Sequence, residues 1–230
     1  MQSMFLIGVG PGIGTAVARR FAREGFALGL VARSRASVDN ARRALVADAG
    51  RNIETLQADA GNEQALKAAL DGLRQKLGVP HVVVYNAGVV KPDTIFELSH
   101  AERAARYATN VLGALTTMAH MAPQMAQAGG GTILVTSGMP KPDGRVVSLS
   151  IDKAGLRAAV SIVAAAYAGQ RLHVATVTVG GPVAHGTRFD PDEIAAEYWR
   201  TYRAPPEQWQ PDVVYWGNPD APAIKRAGNA

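Results

Sequence analysis

Four glycines, Gly8, Gly10, Gly12 and Gly14, follow directly on the apolar run Met4, Phe5, Leu6 and Ile7 and are interleaved with the start of an Ile13, Val17, Phe21 helical stripe. A strand that turns through glycines into a helix aims backbone N–H groups and the positive end of the helix dipole at one point. The chemistry on offer is anion binding, and a pyrophosphate is the expected guest. Glycines also build plain turns, and that alternative stays open for the cluster taken alone.

A second strand leads to Ala32, Arg33, Ser34 and Arg35. At this point a dinucleotide site selective for NAD carries an acid for the ribose 2′-hydroxyl, and one selective for NADP carries arginine. No acid is present, and Arg33 and Arg35 can pair with a 2′-phosphate through charge-assisted hydrogen bonds. The expectation is NADP(H) rather than NAD(H), with ordinary surface arginines at a helix lead-in as the plain alternative.

The elements that must position these residues alternate along the chain. Ala27 to Val31, Val82 to Val84, Thr132 to Val135 and Val174 to Val179 read as buried strands, and Asn52 to Leu56 as a further one. Between them run helical stripes: Val38, Ala41 and Leu45, capped by Ser37; Leu66, Leu70, Leu73 and Leu77; Tyr107, Val111, Ala114, Leu115 and Met118; Leu156, Val160, Val163 and Tyr167. Asp192 to Tyr202 resembles a short amphipathic helix behind Pro191. Val213, Val214 and Tyr215 form a candidate seventh strand. Such alternation calls for a parallel sheet covered by crossover helices on both faces. The expected fold is α/β, a single doubly wound domain over residues 1–230 with a seven-stranded, mostly parallel sheet, in which 204–230 is a C-terminal extension.

With 47% hydrophobic and 19% charged residues the chain is composed like a globular protein rather than a disordered one. It has no cysteine, which excludes disulfides, thiolate nucleophiles and sulfur-ligated zinc and fits a cytoplasmic setting. No metal site is expected. The net charge of +5 comes from scattered Arg and Lys with no aromatic-interleaved basic run, so nucleic acid is not an expected partner. The glycine turn lies too near Met1 for a signal core to precede it, and no run has the apolar length of a membrane span.

Gly8, Gly12 and Gly14, then Asp59, then Asn86, Ala87 and Gly88, then Asn110, Ser137 and Lys153 follow one another at intervals that resemble the short-chain dehydrogenase/reductase family, from about Met4 to Phe189. The resemblance implies a Rossmann fold and an oxidoreductase that moves a hydride between nicotinamide and a small substrate. It further implies that Asp59 meets the adenine and that Asn86, Ala87 and Gly88 turn beside the adenosine ribose, with Tyr85 in place of that motif's usual first asparagine. Asn110 resembles the asparagine that holds a proton-relay water. Ser137 is similar to the serine that positions a substrate carbonyl, with Thr136 as a second hydroxyl at an interval one residue short. Lys153 resembles the lysine that grips the nicotinamide ribose, and Thr187 the threonine over the nicotinamide amide. Members of the family commonly pair through two helices, so a homodimer or homotetramer is the implied assembly.

One position departs. Four residues before the lysine the family has a tyrosine, the general acid or base of the reaction, and here stands Leu149. A leucine transfers no proton, and a positioned acid or base contributes about 10²–10⁴ in rate. His185, in the loop expected to cover the substrate, is a replacement candidate that titrates near neutral pH, with a solvated loop histidine as the bland reading. Ser148 and Ser150 flank the leucine without activation, and a tyrosine seven residues before the lysine, as in some members, would fall at Val146. Trp209, Gln210, Pro211, Asp212 and Val213 are similar to the ending of a subgroup that lacks the tyrosine. Two functions therefore stay open: hydride transfer with another proton source, or cofactor binding without turnover.

Overall fold

The computed structural model describes residues 1–50 and 52–222. Seven strands, β1 (Ser3–Ile7), β2 (Ala27–Ala32), β3 (Ile53–Gln57), β4 (Val82–Tyr85), β5 (Gly131–Gly138), β6 (Leu172–Val179) and β7 (Asp212–Tyr215), form one sheet in the order β3-β2-β1-β4-β5-β6-β7. Every pairing is parallel, so the sheet is wholly rather than mostly parallel. The order reverses between β1 and β4, and the crevice beyond their carboxyl ends is where this architecture binds ligands.

Strand side chains alternate between two cores. Met4, Leu6, Leu28, Leu30, Val84 and Leu134 face α1 (Ile13–Arg23), α2 (Arg35–Ala49) and α7 (Pro191–Arg203). Phe5, Ile7, Val83, Tyr85, Ile133 and Val135 face α3 (Glu63–Leu77), α5 (Gly113–Gln127) and α6 (Val147–Ala166). The expected stripes supply these faces, with boundaries that shift by a few residues. Ser34, not Ser37, caps α2: its Oγ accepts from Ser37 N at 3.1 Å. Asn62 caps α3 through a bond from Ala65 N, and Asp190 caps α7 ahead of Pro191.

The stripe beginning at Tyr107 is not one regular helix. Between α4 (His100–Tyr107) and α5 the backbone makes a π turn, Ala108–Leu112, which carries Asn110. The looser winding leaves the Thr109 carbonyl for a side chain, and Tyr85 donates to it from Oη at 2.5 Å. A Cβ at Gly113 would lie 2.2 Å from that Oη and 2.3 Å from the Ala60 carbonyl, so only glycine fits there. Tyr85 thereby has a structural task in place of the asparagine.

Helix α6 has no cap of its own, because Val146 offers no acceptor. The carboxylate of Asp93, in the loop after β4, replaces it. Asp93 accepts from Ser148 N at 3.1 Å and from Ser148 Oγ, and backbone bonds join Asp93 to Arg145 and Val147. Helix α7 docks through Trp199 and Tyr202, which pack against Phe21 and Phe26 with ring centroids 5.2–6.2 Å apart. Residues of the 204–230 extension beyond Pro222 lie outside the described ones. Among the described residues no helix is long and apolar enough to cross a membrane.

Candidate cofactor and active site

The glycine turn divides its work. Gly8 has φ +89°, and a Cβ there would sit 2.3 Å from Ala87 N; one at Gly14 would sit 3.0 Å from Asn86 Nδ2 and from the Gly8 carbonyl. These two glycines let β1, α1 and the turn after β4 touch. A Cβ at Gly10 or Gly12 meets nothing within 4 Å, which leaves open space in front of the first turn of α1. Asn86 holds the crevice closed at its base: its Nδ2 donates to Gly8 O at 2.9 Å and its Oδ1 accepts from Thr136 Oγ1 at 2.9 Å.

That bond decides between the two hydroxyls on β5. Thr136 shares the face of Leu134 and is occupied by Asn86 and by Tyr198 Oη of α7 at 2.6 Å. Ser137 falls on the other face, that of Ile133, Val135 and α6. Its Oγ is buried and has no hydrogen-bond partner among the described residues. Beyond it the chain turns sharply, with Met139 at φ +53°, held by Arg157 Nη1 donating to Gly138 O at 2.8 Å.

Asn110, on the π turn, is fully buried. Its Oδ1 accepts from Val89 N at 2.6 Å and its Nδ2 donates to Asp152 Oδ2 at 2.7 Å. Gly88 lies beside it; a Cβ there would make ordinary contact with Asn110 Oδ1 at 3.6 Å. Lys153 is 7% exposed and donates from Nζ to Thr136 O at 2.8 Å. Burial pushes its pKa down to about 8, against the opposing effect of Asp152; Arg157 lowers it further. Leu149, one turn earlier on α6, is 7% exposed and apolar. Asn110, Ser137 and Lys153 thus share one face at the carboxyl edge of the sheet.

The remaining candidates sit farther out. Asp59 accepts from Gly61 N at 2.9 Å and braces its own turn. Arg33 is exposed at the end of β2, and Arg35 pairs with Asp39 on its own helix at 3.3 Å. Thr187 donates to Ala184 O at 2.8 Å and accepts from Phe189 N at 3.2 Å, so its hydroxyl closes a local turn. Of the two readings of His185, the structure shows the solvated loop histidine. Its side chain is 76% exposed and lines a cleft of about 330 Å³ with Gly10, Thr15, Ser37 and Asp192, while none of Asn110, Ser137 and Lys153 lines that cleft. Its neighbours are the glycine turn, α2 and the Asp190 carboxylate 3.7 Å away, so this geometry gives no proton route from it to Ser137 and Lys153. Ser148 and Ser150 are spent on Asp93 and Asp143.

A wider cleft of about 940 Å³ opens at the opposite, amino-terminal edge, lined by Gly131, Thr132, Tyr167, His173 and Trp209. Its size does not outweigh the chemistry: the residues able to react lie at the carboxyl edge.

The sequence model of the short chain dehydrogenase family matches residues 2–189. The chain belongs to that family. Its curated relatives include the 2,3-dihydro-2,3-dihydroxybenzoate dehydrogenase of Bacillus subtilis, 27% identical over 141 residues that cover 60% of this chain and 54% of that protein. The chain spans about half the length of curated relatives such as this one. Among solved structures, a short-chain dehydrogenase from Rhodopseudomonas palustris superposes with a TM-score of 0.84 at 23% identity, covering 94% of this chain and 99% of the other. A metagenomic short-chain oxidoreductase, solved in complex with NADP, gives 0.81 at 24% identity over 92% and 96%. These identities carry the fold.

Within a short-chain dehydrogenase framework two further residues stand out, Asp93 and Asp152. Asp152 had a legible signal: it shares a helical face with Leu149 and adjoins Lys153. Asp93 had none, because its partner lies 55 residues away. Val111, Met118, Leu156 and Val160 are buried within the chain itself, and the apolar residues left exposed on these helices are Tyr107, Leu112, Ile151 and Ile162.

Proposed function

We propose that this short-chain dehydrogenase binds NADP(H) in the crevice in front of the glycine turn and transfers hydride between the nicotinamide and a small substrate. The carrying observation is the buried Ser137 Oγ, without a hydrogen-bond partner among the described residues, on the same face as Lys153 and Asn110, since an orphan hydroxyl in a polar cluster calls for a ligand atom. The open space before Gly10 and Gly12 fits a pyrophosphate on the backbone N–H groups of α1. Arg33, with Arg35, would hold the 2′-phosphate, Asp59 the adenine, Asn86 to Gly88 the ribose wall, and Lys153 the nicotinamide ribose. The cofactor, when bound, supplies the hydride. Ser137 orients the reacting group, and Asn110 ties the loop after β4 to α6.

Leu149 favours a second reading, a protein that binds NADPH without turning it over. The two separate when NADPH is titrated by fluorescence and a panel of carbonyl and enone compounds is then added to the complex. Oxidation with any member of the panel supports the enzyme; binding with none across the panel supports the silent binder; absence of binding overturns both. The exposed Leu112, Ile151 and Ile162 support self-association through the π turn before α5 and through α6 as a dimer or tetramer, and sedimentation would read the assembly.

A further inference from the structure

Asp152 is a buried carboxylate that the proposed chemistry leaves unused. It follows Leu149 by three residues on α6 and immediately precedes Lys153, so all three belong to the inward part of the helix. Its Oδ2 accepts from Asn110 Nδ2 at 2.7 Å across 42 residues of sequence. An ionised carboxylate only accepts, so this bond also orients the Asn110 amide, turning its Oδ1 to Val89 N.

Lys153 needs an opposite charge. It is buried, and its Nζ has the Thr136 carbonyl as hydrogen-bond partner. The charged groups acting on it are Asp152, which favours the ammonium, and Arg157, which opposes it, both on α6. Asp152 in turn feels Lys153, Asp93 of the loop after β4 and Arg106 of α4, beside the Asn110 bond. Burial and, more weakly, Asp93 raise the pKa of Asp152, while Asn110, Lys153 and Arg106 lower it.

We propose that Asp152 is a positioning residue that keeps Lys153 cationic in its buried site, held in place and ionised by the Asn110 amide. The inference rests on the dinucleotide reading, in which a charged Lys153 meets the cofactor. With no phenol at position 149, the charge state of the lysine depends on the carboxylate beside it. Asp152→Asn keeps the shape and an acceptor for Asn110 while removing the charge.

The test titrates the Lys153 ammonium by NMR in protein labelled with ¹⁵N at the lysine Nζ, without cofactor, in wild type and in Asp152→Asn. The expected result is a midpoint lowered by about 1 pH unit in the variant, the low end of the effect of a neighbouring opposite charge. Asp152→Ser, smaller and also uncharged, should shift the midpoint in the same direction and serves if the asparagine variant folds poorly. An unchanged midpoint in a folded variant overturns the inference, whatever the protein does with NADPH. The dissociation constant of NADPH between pH 6 and 9 gives the second readout. Affinity should fall with rising pH, and the fall should begin about 1 pH unit lower in the variant. A shifted lysine midpoint with no NADPH binding in wild type supports the coupling of Asp152 and Lys153 and overturns the dinucleotide reading instead.

Discussion

Lys153 Nζ donates to the backbone carbonyl of Thr136 at 2.8 Å, which anchors the lysine of α6 to the strand that carries Ser137. The bond bridges 17 residues and places the ammonium next to the end of β5. Because Thr136 is itself held by Asn86 and Tyr198, the lysine is positioned from both faces of the sheet.

Leu149→Tyr should create or strengthen carbonyl reduction. The leucine is on α6 one turn before Lys153, where a phenol beside an ammonium would be activated. Steady-state NADPH oxidation with a carbonyl panel should rise by roughly 10²–10⁴, the contribution of one positioned acid. No gain in a folded variant would show that the substrate side of the pocket has another shape.

The buried lysine should lower stability at neutral pH. Its pKa falls from the usual 10.5 to about 8 in the folded chain, so between those values the unfolded state holds the extra proton. Stability therefore rises with pH across that window, by roughly 3 kcal/mol in all, and the deficit is fully present below about pH 8. Lys153→Met should remove the slope. Urea unfolding of both proteins at pH 7.5 and pH 10 checks it: the stability of the variant relative to wild type should be greater at the lower pH.

Arg33 and Arg35 should set the preference for the phosphorylated dinucleotide. Replacing both with alanine should lower the ratio of NADPH to NADH affinity by roughly 10–100-fold, the range of a lost charge-assisted bond. Arg33→Ala alone should account for more of the change, because Arg35 already pairs with Asp39. Equal ratios in wild type and double variant would remove both from the phosphate site.

Asp93→Ala should destabilise the start of α6. It removes the acceptor for Ser148 N and Ser148 Oγ and leaves Arg106, 3.7 Å away, without its carboxylate. A loss of about 1–3 kcal/mol is expected from cap and buried hydrogen bonds together. The urea midpoint should fall, with Asp93→Asn intermediate. An unchanged midpoint would mean that the backbone bonds to Arg145 and Val147 suffice.

The sequence by itself determined the alternation of buried strands and striped helices, the glycine turn, and the order of Asp59, Asn86, Asn110, Ser137 and Lys153. The alternation and the turn rest on residue type and spacing within one element or one turn, which local physics dictates, and the order of the five residues rests on the resemblance to the short-chain dehydrogenase/reductase family. Only the tertiary structure decided the rest. That Ser137 rather than Thr136 faces α6 depends on the side of β5 that packs on Leu156 and Val160 rather than on Tyr198. That Asn110 sits on a π turn depends on Tyr85 taking the carbonyl freed at Thr109. His185 turned to the glycine side, Asp93 capped a helix begun 54 residues later, and Asp152 met Asn110. Such contacts join segments distant in sequence, so they come into being only when the sheet order brings the carboxyl ends of β1, β4 and β5 together.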